Sequence, residues 1–253
     1  MDRLEEWLEE QRVAKIHGWD FSHIEERYEQ IGDLPWNYAE VIGQYLRPEY
    51  RLLDMDTGGG EFLLSLGHPC DRTAATEGYP PNVALCKEKL LPMGIDFRPA
   101  VGEGELPFED GAFDVVINRH GSFSVSEIFR VLKPGGMFIT QQVGEENDRE
   151  LVKILLPHAE KPYPGWSLAP VAESFRGGGF EVLWEEEAFR PLRFYDVGAL
   201  VWFARILEWE FPGFSVEACL PELEKARQLL EEQGYIEGRI QRFLIVAQKK
   251  KDA

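Results

Sequence analysis

Two aspartates, Asp54 and Asp56, precede three consecutive glycines, Gly58 to Gly60, in the stretch "RLLDMDTGGGEF". A glycine turn after a strand lets a ligand approach bare backbone, and free N–H groups there suit a polar ligand. Glu77 stands 17 residues beyond Gly60, closing the run "TAATE". A carboxylate at that strand end can accept both hydroxyls of a ribose lying across two strands. Glu103 and Glu105, in "VGEGELPF", follow a third run and could meet an adenine amino group. Asn118, Arg119 and His120 close a fourth, "FDVVINRH". Histidine titrates near neutral pH, so His120 is the candidate base for an acceptor that must lose a proton. A histidine that only hydrogen-bonds backbone at a turn fits the same position. Asp56 is the anomaly, placing a carboxylate where such loops usually carry another glycine.

These residues need strand ends to hold them, and the order of elements supplies them. "RLLDM", "TAATE", "IDFRPAV", "FDVVIN" and "MFITQQV" read as strands. They alternate with helices at "GEFLLSLG", "PPNVALCKEKLL" and "SVSEIFRVLK". Such alternation predicts a parallel sheet covered on both faces. "FEVLWEEEAF" and "RIQRFLIVAQK" add two later strands. Residues 1–46 and 190–233 read as helical. The expected fold is therefore a Rossmann-like α/β domain: a seven-stranded, mostly parallel sheet with helices on both faces, an N-terminal helical lid and a helical insertion before the last strand. The expected divisions are a helical cap over 1–47, a core over 48–189, an insertion over 190–235, and the final strand with its tail over 236–253.

Composition narrows the function. Lys plus Arg is 27 against Asp plus Glu 45, a formal charge of −18 over 253 residues. That field repels phosphate backbones and disfavours nucleic acid as a partner. No apolar run reaches a membrane span, and the acidic start "MDRLEEWLEEQR" lacks the basic character of a secretory leader. The chain reads as soluble and cytoplasmic, a monomer or homodimer. Cys70, Cys86 and Cys219 are too widely spaced for a disulfide framework and read as reduced thiols, and no metal site is expected. A dinucleotide site would need a third glycine where Leu63 stands.

Residues from about 50 to 143 resemble class I S-adenosylmethionine-dependent methyltransferases, in particular the type 11 methyltransferase domain. "LLDMDTGGGEF" resembles that family's first motif, "LPFEDGAFDVVI" its approach to the fourth strand, and "EIFRVLKPGGMFI" its helix, turn and fifth strand. The resemblance implies S-adenosylmethionine as cofactor and S-adenosylhomocysteine as product. It places Asp54, Asp56, Thr57, Gly58 and Gly60 around the methionyl group, Glu77 on the ribose, and Gly78 and Tyr79 beside the adenine. Gly102 aligns with the adenine-contacting acid of the family, and Glu103 is one position on. Asn118, Arg119 and His120 would lie beside the sulfonium and methyl group. Trp36, Tyr38, Tyr195 and Trp202 are candidate walls of an acceptor pocket, although aromatics at helical spacing are usually core. The reading is methyl transfer to an apolar or aromatic small molecule, against two alternatives: a catalytically silent cofactor-binding module, or a protein or RNA methyltransferase.

Overall fold

The runs carrying Asp54, Glu77 and Asn118 become neighbouring strands in the computed structural model, which describes residues 3–15, 21–101 and 103–251. The elements in chain order are α1 (Arg3–Val13), β1 (Tyr28–Gln30), α2 (Tyr38–Tyr45), β2 (Leu52–Met55), α3 (Glu61–Ser65), β3 (Thr73–Glu77), α4 (Pro80–Lys89) and β4 (Asp96–Pro99). They continue with β5 (Phe113–Arg119), α5 (Val125–Val131), β6 (Leu132–Val143), α6 (Arg149–Leu155), α7 (Leu168–Gly177), β7 (Phe180–Phe194), α8 (Val197–Ile206), α9 (Leu220–Gln233) and β8 (Ile236–Lys249).

Hydrogen bonding orders the strands β1-β7-β8-β6-β5-β2-β3-β4. The pairs β2/β3, β2/β5, β3/β4 and β5/β6 are parallel, whereas β6/β8 and β1/β7 are antiparallel. From β2 the chain moves outward through β3 and β4, then returns to the other side of β2 for β5. Strand order thus reverses between β2 and β5, the place where open parallel sheets bind ligands beyond their carboxyl ends.

Among the described residues the sheet has eight strands rather than seven. Tyr28–Gln30, inside a stretch expected to be helical, pairs with Leu192–Phe194. Likewise β7 continues to Phe194, so residues 190–194 are extended rather than helical. The period-two signal was present there: Leu192 and Phe194 are buried while Arg193 between them is only half-buried.

The chain divides into two compact units, each assembled from three segments. One comprises Pro35–Gly144, Trp166–Glu187 and Arg242–Ala253. Its core joins Leu53, Phe113, Val116 and Phe138 from the sheet to Ile128 of α5 and Phe175 of α7, with Phe243 and Ile245 from β8. The other comprises Met1–Leu34, Glu145–Gly165 and Ala188–Gln241. Its core is built from Trp7, Leu151, Leu155, Phe194, Trp202 and Phe203 among others. No helix among the described residues is long and apolar enough to cross a membrane.

Candidate active site

Each candidate residue on β2, β3 and β5 sits at the carboxyl edge of a strand whose apolar neighbours fix it. Leu52, Leu53 and Met55 are buried, and Asp54 is carried into the interior with them. Its Oδ2 accepts a 2.6 Å hydrogen bond from Thr57 Oγ1. Burial pushes the Asp54 carboxyl up to about 7; Thr57 and Arg119 oppose this, and Asp56 and Glu77 add to it. Asp56, half-buried, is also pushed up to about 7, first by lost hydration and then by Glu77 and Glu103. Three carboxylates thus crowd one turn.

The turn demands left-handed backbone at three positions. Gly58 and Gly60 have φ of 64° and 78°, and Asp56 has φ 54°. Glycine suits all three, and aspartate is among the few other residues that enter this region readily. Asp56 is therefore compatible with the turn but strained in it, and no hydrogen bond to its carboxylate is recorded among the described residues. Cys86 and Lys89 of α4 pin the loop from below: Sγ donates to Gly58 O at 3.1 Å and Nζ to Gly59 O at 3.1 Å. The Cys86 thiol, buried and pushed up to about 11, is a protonated donor.

Glu77 closes the loop from β3. Its Oε2 accepts from Gly58 N at 2.8 Å, and its Oε1 from Gly78 N and Tyr79 N at 2.9 and 2.8 Å. Asn82 Nδ2 adds a longer bond to Oε2 at 3.4 Å. Four donors meet about four lone-pair positions, so this carboxylate is first a clamp on the glycine turn. Gly78 packs against Val101 and Ala100, where a Cβ would stand 3.1 Å from the Val101 side chain. Tyr79 and Glu103 are exposed, and Gly102 lies outside the described residues.

Asn118, Arg119 and His120 stand beside this turn on β5. Asn118 is buried; its Nδ2 donates to Met55 O at 3.2 Å and its Oδ1 accepts from Gln142 Nε2 at 2.6 Å. Arg119 is exposed, with its guanidinium 4.3 Å over the Phe62 ring, which itself stacks on Tyr38. His120 has φ 65°, and its N–H donates to Gln141 O at 2.9 Å. The residue as a whole is exposed, yet burial of the imidazole is the first cause that disfavours its charged form, and the cations Arg242 and Arg119 lower its pKa further.

Trp36 and Tyr38 are buried and hydrogen-bonded. Trp36 Nε1 donates to Gln141 Oε1 at 2.8 Å, and the Tyr38 hydroxyl lies 2.9 Å from the carbonyls of both Asn118 and Ile139. They fasten the segment around α2 to the ends of β5 and β6. Trp202 is buried in the core of the other unit, and Tyr195, partly exposed, donates there to Glu29 at 2.7 Å. Gln141, Gln142 and Gly121 are participants that sequence reasoning passed over. The signal for the first two was the polar pair closing "MFITQQV", both buried in the structure. Gly121 has none, because its need arises from Asp56: a Cβ would stand 2.5 Å from Asp56 Oδ2 and 2.7 Å from Asp56 Cβ. Gly121→Ala is expected to cost about 1–3 kcal/mol by overpacking, measurable as a fall in Tm, with Asp56 displaced from the turn.

A cradle of left-handed glycines rimmed by Asp54, Asp56 and Glu77 fits a ligand bearing positive charge. It is ill-suited to a pyrophosphate, which three carboxylates would repel. S-adenosylmethionine, with a sulfonium and an ammonium group, has the required character.

Residues 53–140 match the family described as methyltransferase domain. A demethylmenaquinone methyltransferase from Thermus thermophilus is 30% identical, with the match covering 47% of this chain and 62% of that protein. A ubiquinone/menaquinone biosynthesis C-methyltransferase from Brucella abortus is 28% identical, over 60% of this chain and 61% of that protein. The chain thus spans about three fifths of the length of these curated relatives. Among solved structures, a methyltransferase candidate from Bacillus halodurans superposes with a TM-score of 0.59 at 17% identity, covering 85% of this chain and 99% of that one, a likeness of fold.

Proposed function

We propose, on the premise that residues 53–140 are a methyltransferase domain on a class I Rossmann-like fold, that this protein transfers a methyl group from S-adenosylmethionine to an apolar or aromatic small molecule. The observation that carries the reading is the cluster of Asp54, Asp56 and Glu77 around left-handed glycines at the sheet's switch point. When bound, the cofactor supplies a methyl group activated by its sulfonium. The protein's own contribution is alignment, charge and exclusion of water. Asp54 and Asp56 would face the cationic methionyl end, and Thr57 keeps Asp54 oriented. Gly58 and Gly60 admit the ligand to bare backbone. Glu77 would hold the turn closed while exchanging its longest bond, that from Asn82, for a ribose hydroxyl. Gly78, Tyr79, Gly102 and Glu103 would border the adenine. Asn118 and Arg119 would flank the transferring methyl.

The relatives named for quinone methylation make a reduced demethylmenaquinone analogue with a short tail the first acceptor to test. Titration calorimetry is expected to give saturable binding of both S-adenosylmethionine and S-adenosylhomocysteine. Absence of heat at millimolar ligand would remove the reading. Labelled cofactor incubated with the analogue and with metabolite extracts then identifies the acceptor.

A further inference from the structure

His120 sits at the end of a hydrogen-bond chain that determines which of its nitrogens carries the proton. The chain starts at Trp36, whose indole N–H can only donate and lies 2.8 Å from Gln141 Oε1. Both residues are buried, so the amide has no freedom to serve Trp36 with its other end. The Gln141 oxygen must face Trp36, and the NH2 group must face the opposite way. That NH2 lies 3.1 Å from His120 Nε2. An amide nitrogen donates and does not accept, so Nε2 must present its lone pair. A neutral imidazole accepting at Nε2 carries its hydrogen on Nδ1. The residue is exposed, and among the described residues Nδ1 has no protein hydrogen-bond partner. The backbone repeats the constraint: φ of 65° and the N–H bond to Gln141 O hold His120 against the residue that orients its ring. The charges acting on the ring, Arg119 from β5 and Arg242 from β8, are both positive and oppose a second proton.

We propose that Trp36 and Gln141 lock His120 as the neutral Nδ1–H tautomer, so that it serves the reaction as a hydrogen-bond donor to an oxygen of the acceptor and not as the base that deprotonates it. The only lone pair of the ring is held by Gln141, and what the ring offers outward is a proton. Arg119, one residue before it, adds fixed positive charge. This pairing selects an acceptor bearing a carbonyl, phenolate or enolate oxygen beside the methylated atom. Such an acceptor arrives ionised or releases its proton to solvent; the donor and Arg119 favour the ionised oxygen and hold the acceptor in line, so that its electron pair can form the new carbon–methyl or oxygen–methyl bond as the methyl–sulfur bond breaks. The tautomer follows from the hydrogen bonds alone; the donor role rests on the methyl-transfer reading above.

Nitrogen-edited NMR of protein labelled with 15N-histidine tests the first part directly, with His120 assigned by the signals lost in His120→Asn. The expected result is an unprotonated Nε2, a protonated Nδ1, and no titration between about pH 5.5 and 8. An Nε2–H tautomer, or a midpoint near the ordinary histidine value, overturns the proposal. Gln141→Glu replaces the donating NH2 by an acceptor, so it is expected to transfer the hydrogen to Nε2 and to bring His120 into the titrating range. An unchanged spectrum in that variant also overturns it. With the reduced demethylmenaquinone analogue, His120→Ala is expected to lower kcat about 100-fold by loss of positioning, with cofactor affinity unchanged. His120→Asn keeps an N–H donor and tolerates left-handed backbone, so it is expected to restore most of the rate. A wild-type pH–rate profile with a limb near 6.5 that His120→Asn abolishes would identify a base and refute the donor. If cofactor binding fails, the methyl-transfer reading falls while the NMR result still decides the tautomer.

Discussion

Glu77→Ala is expected to abolish useful cofactor affinity and to destabilise the fold at the same time. The side chain accepts from three backbone amides, those of Gly58, Gly78 and Tyr79, and from Asn82. Hydrogen bonds to a charged acceptor contribute about 1.5–3 kcal/mol each, and stranded donors add a desolvation cost. Part of the turn is open to water, and the bonds share one group, so their contributions do not add. A loss of about 3 kcal/mol is the reasonable expectation, which for a chain of this size lowers Tm by roughly 6–12 °C. Affinity for S-adenosylmethionine should fall at least about 100-fold, because the left-handed glycines lose the clamp that fixes the turn in its binding conformation. Glu77→Gln keeps volume and one accepting oxygen, and its effects should be intermediate. Thermal unfolding and calorimetry on the two variants provide the check. A Glu77→Ala protein with unaltered Tm and cofactor affinity would remove Glu77 from both roles.

Asp56→Asn should do the opposite to the ligand-free protein. The folded state holds the Asp56 proton more tightly than the unfolded chain does, with a carboxyl pushed up to about 7. Its contribution to stability is therefore complete below about pH 4 and is lost as pH rises through about 7. Asp54 acts in the same direction over the same interval. At pH 8 an uncharged side chain at position 56 should raise stability by about 1–2 kcal/mol, a value discounted for partial exposure. That corresponds to a Tm higher by about 2–8 °C. At pH 4 the gain should vanish. Binding should move the other way, since a carboxylate with no hydrogen-bond partner among the described residues favours a cationic ligand. The variant is expected to lose about tenfold in affinity for S-adenosylmethionine and less for S-adenosylhomocysteine, whose sulfur is uncharged. Equal losses for the two ligands would refute the sulfonium assignment, and a flat pH dependence of the stability difference would refute the raised carboxyl.

The site-bearing strands were legible because each combined an apolar run with a terminal polar residue: Asp54 after Leu53, Glu77 after "TAAT", Asn118 after "VVI". Gly58 and Gly60 were legible for the same reason, since their residue type matches the backbone they adopt. What the sequence did not disclose depends on partners distant along the chain. Trp36 and Tyr38 looked like pocket walls because an aromatic residue does not reveal whether its polar atom has found a strand end. Gln141 could not be recognised as orienting His120 until Trp36 was known to face its oxygen. Glu77 was read as a ligand group when its first partners are the amides of the very turn it was expected to complement. The strand at Tyr28–Gln30 carries little apolar signal, and its pairing with Leu192–Phe194 spans most of the chain.

The unit that carries the site is stitched from separate stretches of sequence, and this sets the order in which it can be made. Residues 137–141 of β6 pair on one side with β5, and residues 137–143 on the other with 242–248 of β8. Phe243, Ile245 and Ala247 from that last strand complete the apolar core. At a synthesis rate of about 5–20 residues per second, β6 waits roughly 5–20 s on the ribosome with one edge unpaired and part of its apolar surface bare. An open edge of this kind invites pairing with other nascent chains. A fragment cut to residues 53–140 would hold every motif by which the family is recognised, and would lack the strand that keeps it from aggregating.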